Sequence, residues 1–123
     1  MPATSKFILL IMVGLSLIFI SFTTTKTQLI KTTLRITILN ELGNPVEGAQ
    51  VQLYKTDEDY SKNTNPATEP MLTDSKGVVT FKDLEPIEYY VNAEKGEANN
   101  YGAGVQTGKL EAKRINRATI IIE

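Results

Sequence analysis

A tight turn running straight into an alternating strand restricts this chain more than any other feature, and it lies at residues 40–53, N-E-L-G-N-P-V-E-G-A-Q-V-Q-L. Gly43 accepts positive φ, Asn40 and Asn44 tolerate it, and Pro45 presets φ near about −65°. Gly48 then opens a strand in which Ala49, Val51 and Leu53 alternate with Gln50 and Gln52. Such alternation marks a strand with one face buried and the other turned away from the core.

The same period recurs along the chain. Leu34, Ile36 and Ile38 share one face of a first strand over residues 34–39, with Arg35 and Thr37 on the other. Residues 56–70 are polar, end in prolines and are expected to form the longest, most mobile loop. Met71 and Leu72, the turn Asp74-Ser75-Lys76-Gly77 and residues 78–81 read as strand, turn and strand, with Val79 and Phe81 inward. Leu84, Tyr89, Val91 and Ala93 take the inward phase of the next strand, and Glu88, Tyr90 and Asn92 the outward one. Glycine-interrupted residues 101–106 are expected to be an edge or bulged strand. Ala118, Ile120 and Ile122 close the chain in alternation with Thr119 and Ile121. The expected fold is all-β, a sandwich of about seven strands, with no amphipathic helix beyond residue 28.

Ahead of these strands, residues 7–22 contain no charge and read as a membrane-directed segment. Its length fits either a signal peptide or a single-span membrane anchor, and no A-x-A site decides between them; Thr23 and Thr25 are the small polar alternative. The expected organisation is therefore 1–25 signal peptide or anchor, 26–33 tether and 34–123 β-sandwich domain. About 95 to 100 residues then remain for one modest core.

A formal net charge of −1 supplies no basic field, so no nucleic-acid partner is expected. Acids outnumber lysines between residues 57 and 97, the pattern of a solvated acidic edge. The chain has no cysteine and no histidine, which removes disulfides, thiolate chemistry and the commonest general base and metal ligand. Hence no catalytic residue, cofactor or metal is assigned and the chain is expected not to be an enzyme. Asp57, Asp59, Ser61 and Asn63 alternate oxygen ligands across the 57–69 loop, but Lys62 and Thr68 stand where a calcium loop needs Gly and Glu. Asp83, Glu85 and Glu88 gather at a turn as solvated charge rather than as a catalytic pair. Of Tyr54, Tyr60, Tyr89, Tyr90 and Tyr101, Tyr89 belongs to the core, whereas Tyr60 and Tyr90 are free to stack on a sugar or a partner surface.

Three pieces in order, G43-N-P-V-E-G-A49-x-V51-x-L53, T73-D-S-K-G77-V-V-T-F81 and L84-x-P86-x-x-Y89-x-V91-x-A93, resemble the carboxypeptidase regulatory-like and collagen-adhesin B-type modules. The resemblance covers roughly residues 34–93 and implies a transthyretin-like (prealbumin-like, Ig-like) sandwich lying outside the cytoplasm. Such modules usually carry Gly in the turn before the tyrosine strand, where this chain has Ile87, so that turn must avoid positive φ or bear strain. Collagen-adhesin modules often form an internal isopeptide bond, yet Ile38 and Ala93 stand at the lysine and acid positions, and Asn116 alone does not restore it. Neither Lys31 nor Arg35 reaches the lysine position without a register shift. The hydroxyisourate hydrolases of this fold rely on histidines, which are absent. What the resemblance implies is a non-enzymatic exported or membrane-anchored module of the cell envelope, binding a protein or glycan partner and touching the membrane through its N-terminal segment. An integral structural subunit of a membrane complex is the alternative reading, and a hydrolase on the same fold a remote one.

Overall fold

The computed structural model describes residues 29–102 and 104–123; the expected membrane segment at residues 7–22 and the first three residues of the expected tether, 26–28, lie outside the described residues. Among the described residues no helix is long and apolar enough to cross a membrane. The elements are β1 (Thr33–Leu39), β2 (Gln50–Tyr54), α1 (Asp57–Lys62), β3 (Met71–Leu72), β4 (Val78–Phe81), β5 (Glu88–Lys95), β6 (Ala98–Asn99), β7 (Gln106–Lys109) and β8 (Ile115–Ile121).

They form the expected two-sheet, all-β architecture. In the three-stranded sheet, ordered β4-β1-β8, β4 runs antiparallel to β1 and β8 parallel to it, which sets Ile36 opposite Val79 and Ala118 and Ile38 opposite Ile120. In the five-stranded sheet β2 pairs with β3 and β5, placing Val51 opposite Ala93 and Leu53 opposite Val91, while β6 and β7 pair with β5. Leu34, Ile36 and Ile38 meet Val51, Leu53, Tyr89 and Val91 in a single buried cluster that also takes in Val79, Phe81 and Ile120. Each large apolar side chain contributes roughly 1.5–3 kcal/mol on burial, against about 1–2 kcal/mol of backbone freedom lost per ordered residue. Long strands with unbroken inward rows therefore do most of the stabilising.

Backbone chemistry explains the connections. The Asp74–Gly77 turn closes no hairpin, since β3 lies on β2 and β4 on β1; it carries the chain from one sheet to the other. Asp74 Oδ1 accepts from the N–H groups of Val78 (3.0 Å) and Lys76 (2.9 Å), and these donors, Val78 foremost, hold its carboxyl below the usual carboxylate range. Gly77 follows at φ +74°, and a Cβ there would sit 2.6 Å from the carbonyl oxygen of Ile38. The Ile87 corner resolves without strain at that residue: Asp83 carries the positive φ (58°), and Ile87 packs against the core. Thr32 and Thr33 are already buried, with Thr32 Oγ1 accepting from Lys113 N–H at 2.9 Å, so the sandwich takes up the chain at residue 32.

Two expectations are corrected. Residues 56–70 are not simply an irregular loop, because α1 forms within them. The Thr56 side chain accepts from Asp59 N–H (3.0 Å), Asp57, Glu58 and Asp59 occupy the first turn, where the helix dipole favours acids, and Asn63 ends the helix at φ 54°. No residue of α1 is buried, so no apolar period announces it. The edge strand falls at Gln106–Lys109 rather than at residues 101–106, on polar residues that pair with β5 through a register shift between Glu88 and Tyr90.

Candidate functional site

The outer face of the five-stranded sheet carries a tyrosine cluster that α1 assembles. Tyr54 stands in the outward phase of β2, yet it is only 1% exposed, because α1 lies across β2 and β5. Its hydroxyl bonds the Asn63 side-chain carbonyl, pinning the end of α1 to the strand. Tyr60 of α1 sits at the centre: its ring centroid is 6.0 Å from that of Tyr54 (80° between planes), 6.5 Å from Tyr90 (31°) and 6.3 Å from Tyr101 (65°). These separations are those of favourable edge-to-face and tilted aromatic pairs. Burial first, then the neighbouring Tyr101, Asp57 and Tyr54, push the Tyr60 hydroxyl up to about 12, so it stays protonated near neutrality.

Tyr101 is held by its neighbour. Asn100 is fully buried where β6 has ended and β7 has not begun, and its side chain takes the place of a strand: Oδ1 accepts from Ala93 N–H (3.1 Å), and Nδ2 donates to the carbonyls of Val91 (2.8 Å) and Gly104 (3.3 Å). Val91 N–H donates to Val105 O, and Tyr89 N–H to Thr107 Oγ1, so the far edge of β5 is satisfied throughout this stretch. Tyr101 projects from this clamp, 62% exposed.

Between α1, β5 and the residue-101 loop lies a cleft of about 340 Å³, lined by Tyr60, Ser61, Asn63, Asn92 and Tyr101. None of these five is an acidic or basic residue. Two polar atoms in the cluster, Tyr60 Oη and Asn92 Oδ1, are buried without a hydrogen-bond partner. Tyr60 and Tyr90, expected to offer stacking surfaces, are brought together, and Asn92, expected in the same outward phase as Tyr90, joins Tyr60 at the cleft; Tyr54, Tyr101 and Asn100 were not singled out by sequence for this face. The Asn99-Asn100 turn signal is the trace that could have pointed to the clamp.

The remaining expected positions separate. Asp57, Asp59 and Ser61 are spread around α1, Asn63 is engaged by Tyr54, and Thr64 Oγ1 lies 3.4 Å from Asp59 Oδ1, so these oxygens form no loop around one point. Among the described residues no group of three or more Cys, His, Asp or Glu is placed to hold a metal ion. Asp83 faces Lys31 at 3.8 Å and Glu85 faces Lys55 at 3.2 Å, both on the surface. Ile38 and Ala93 are fully buried among apolar neighbours. Asn116 is a structural clip: its Oδ1 accepts from Glu111 N–H (2.9 Å) and its Nδ2 donates to the carbonyls of Glu111 (3.0 Å) and Thr33 (3.1 Å). Tyr89 lies in the core, with its hydroxyl accepting from Glu85 N–H at 3.0 Å.

Comparison with known proteins places this architecture. No curated protein sequence matches the chain. Solved structures similar to it include a streptococcal ancillary pilin (14% identity, 79% of this chain and 33% of that one, TM-score 0.60). A variant of BcpA, the major pilin subunit of Bacillus cereus, is also similar (13% identity, 75% and 28%, TM-score 0.55), as is the group B streptococcus pilus 2b backbone protein (15% identity, 75% and 40%, TM-score 0.51). At these identities the likeness is one of fold, and the chain spans at most 40% of the length of any of the three. A family model, the SpaA prealbumin-like fold domain, matches residues 32–120, the same span over which the sandwich is built. The transthyretin-like sandwich expected from the sequence is thus the fold of the chain, which belongs to the SpaA family of prealbumin-like fold domains.

Proposed function

We propose that this chain is a non-enzymatic module of the cell envelope, exported through its N-terminal apolar segment and acting as a binding, adhesion or accessory subunit alongside other surface proteins. The observation that carries the reading is the family match over residues 32–120, in a chain whose residues 7–22 are uncharged and apolar. Pilus subunits among the similar folds support a surface role with protein partners. The absence of both Cys and His supports binding rather than catalysis. In this reading residues 1–25 direct the chain to the membrane, and the residues after them tether it to the working domain, which the sandwich takes up at residue 32.

Intact mass and N-terminal sequencing of the protein recovered from its own membranes and from the medium test it. A free chain beginning near residues 24–27 marks a secreted module; a membrane chain that keeps residues 7–22 marks an anchored one, and stoichiometric co-purification with membrane partners then favours the integral-subunit alternative. Recovery from the cytoplasm with residues 7–22 intact would overturn the proposal.

A further inference from the structure

We propose that the outward face of the three-stranded sheet docks on an anionic lipid surface, that of the bilayer to which residues 7–22 lead. This deepens the envelope-module reading and rests on its claim that the N-terminal segment brings the chain to a membrane.

The charge on this face is of one sign. β1, β4 and β8 contain Arg35 and Arg117 and neither Asp nor Glu. Their register sets Arg35 beside Arg117 on one flank and Thr80 on the other, so two guanidinium side chains neighbour each other across the strands. Like charges directly opposite on adjacent strands are destabilising, and among the described residues neither arginine nor the exposed Lys82 forms an ion pair. Asp83, at the rim, faces Lys31. The other layer differs: α1 brings Asp57, Glu58 and Asp59, and β5 carries Glu88 and Glu94. An anionic surface therefore finds its complement on one layer of the sandwich and repulsion on the other.

Apolar side chains stand among these cations. Leu29, 86% exposed, and Ile30 border a recess of about 350 Å³ on this face, together with Arg35, Thr80, Lys82 and Ile115. Further along β8, Ile121 lies in the same outward phase and is also exposed. Aliphatic side chains interleaved with Lys and Arg suit the headgroup boundary, where apolar groups reach the acyl region and cations meet phosphates. A soluble polyanion satisfies the charges alone and leaves Leu29, Ile30 and Ile115 in water. The chain also arrives on this side: Leu29 follows Phe22 by seven residues, a separation of at most about 25 Å. A tether that short raises the effective concentration of headgroups at this face.

The chain has no cysteine, so a single introduced one carries a fluorescent probe without ambiguity. The full chain, labelled at Thr119→Cys on this face or at Glu58→Cys on α1, is placed in nanodiscs of phosphatidylcholine alone or with about 30% phosphatidylglycerol, and quenching by aqueous acrylamide is measured. On the anionic discs quenching at residue 119 is expected to fall about twofold or more and to recover as salt rises from about 0.01 to about 1 M, which shortens the screening length from about 30 to about 3 Å. Quenching at residue 58 should not change. Arg117→Gln and Lys82→Gln, both at exposed positions, should each shift the docked population about fivefold toward the open one, and Arg117→Lys should restore it. Equal quenching on both lipids, protection of residue 58 in place of 119, or protection unaffected by salt and by both Gln variants would overturn the docking. Protection on neutral discs that grows with the number of chains per disc would overturn it too, in favour of a second copy of this chain. A chain that stays out of neutral discs speaks against the membrane segment and not the face; the face then stands if the chain binds anionic discs from solution and falls if it does not. The envelope reading fails separately, by cytoplasmic recovery of the intact chain.

Discussion

The two sheets send apolar rows inward by the same rule and treat their outward rows in opposite ways. On the three-stranded sheet Arg117 and Thr119 of β8 are exposed, and Arg35 and Thr80 half-exposed. On the five-stranded sheet Tyr54 holds the equivalent outward phase and is sealed under α1. Their edges differ too: β1 is flanked by backbone ladders, whereas part of the far edge of β5 is completed by the side chains of Asn100 and Thr107. Alternation in a sequence therefore reports which residues turn away from the core, and not whether they meet water.

The largest expected effect tests that contrast directly. Tyr54→Ala should cost about 3–5 kcal/mol in urea denaturation, while Thr119→Ala, in the same phase of the other sheet, should stay within about 0.5 kcal/mol. Similar losses at the two positions would break the comparison. Next, Asn100→Ala leaves the Ala93 N–H and Val91 carbonyl buried and unpaired, at about 3 kcal/mol. Asn116→Ala, the less buried amide at the start of β8, should cost about 1 kcal/mol, and a reversed order would show that the β5 edge does not depend on its clamp. Thr56→Ala removes the N-cap of α1 and should lower stability by about 1 kcal/mol, recovered by Thr56→Ser; no loss would mean that the cover is held by its tyrosines alone.

The smallest effect is one of pH. Tyr60 has an ordinary value of 10.0 and stands at about 12 in the fold, so its contribution to stability is fully present below pH 10 and is lost as pH rises toward 12. Tyr60→Phe should shallow that alkaline decline, leaving Tyr54 and Tyr89, both also raised by burial, to supply what remains. Tyr54, Tyr60 and Tyr89 lie on β2, α1 and β5, so their share of the alkaline sensitivity belongs to the five-stranded layer. An unchanged alkaline profile in Tyr60→Phe would remove Tyr60 from that account.

These contrasts also explain what the sequence made legible. Leu34, Ile36, Ile38, Val51, Leu53, Val79, Phe81, Tyr89, Val91 and Ile120 are inward by period alone, and all are buried. The helix escaped because T-D-E-D-Y-S-K buries no residue of its own and is specified by a cap and a dipole, which leave no apolar stripe. The edge strand was displaced because Gln106, Thr107, Gly108 and Lys109 owe their conformation to pairing with β5 rather than to strand-forming side chains. The cleft joins residues from β5, α1 and the residue-101 loop, whose spacing in sequence bears no relation to their closeness in space. Only the outward phase of Tyr90 and Asn92 and the polar setting of Tyr60 marked this face beforehand.

The parallel pairing of β1 with β8 has a mechanical meaning. Thr33 lies opposite Ile115 and Leu39 opposite Ile121, so the chain enters this pair of strands at one end and leaves it at the other. Tension applied through the chain before Thr33 and after Ile121 would slide the two strands past each other lengthwise. All rungs between them would then bear load together, instead of parting one by one from an end as in a peeled hairpin. The same register that stacks Ile36 and Ile38 over the core thus makes the domain a link suited to being pulled.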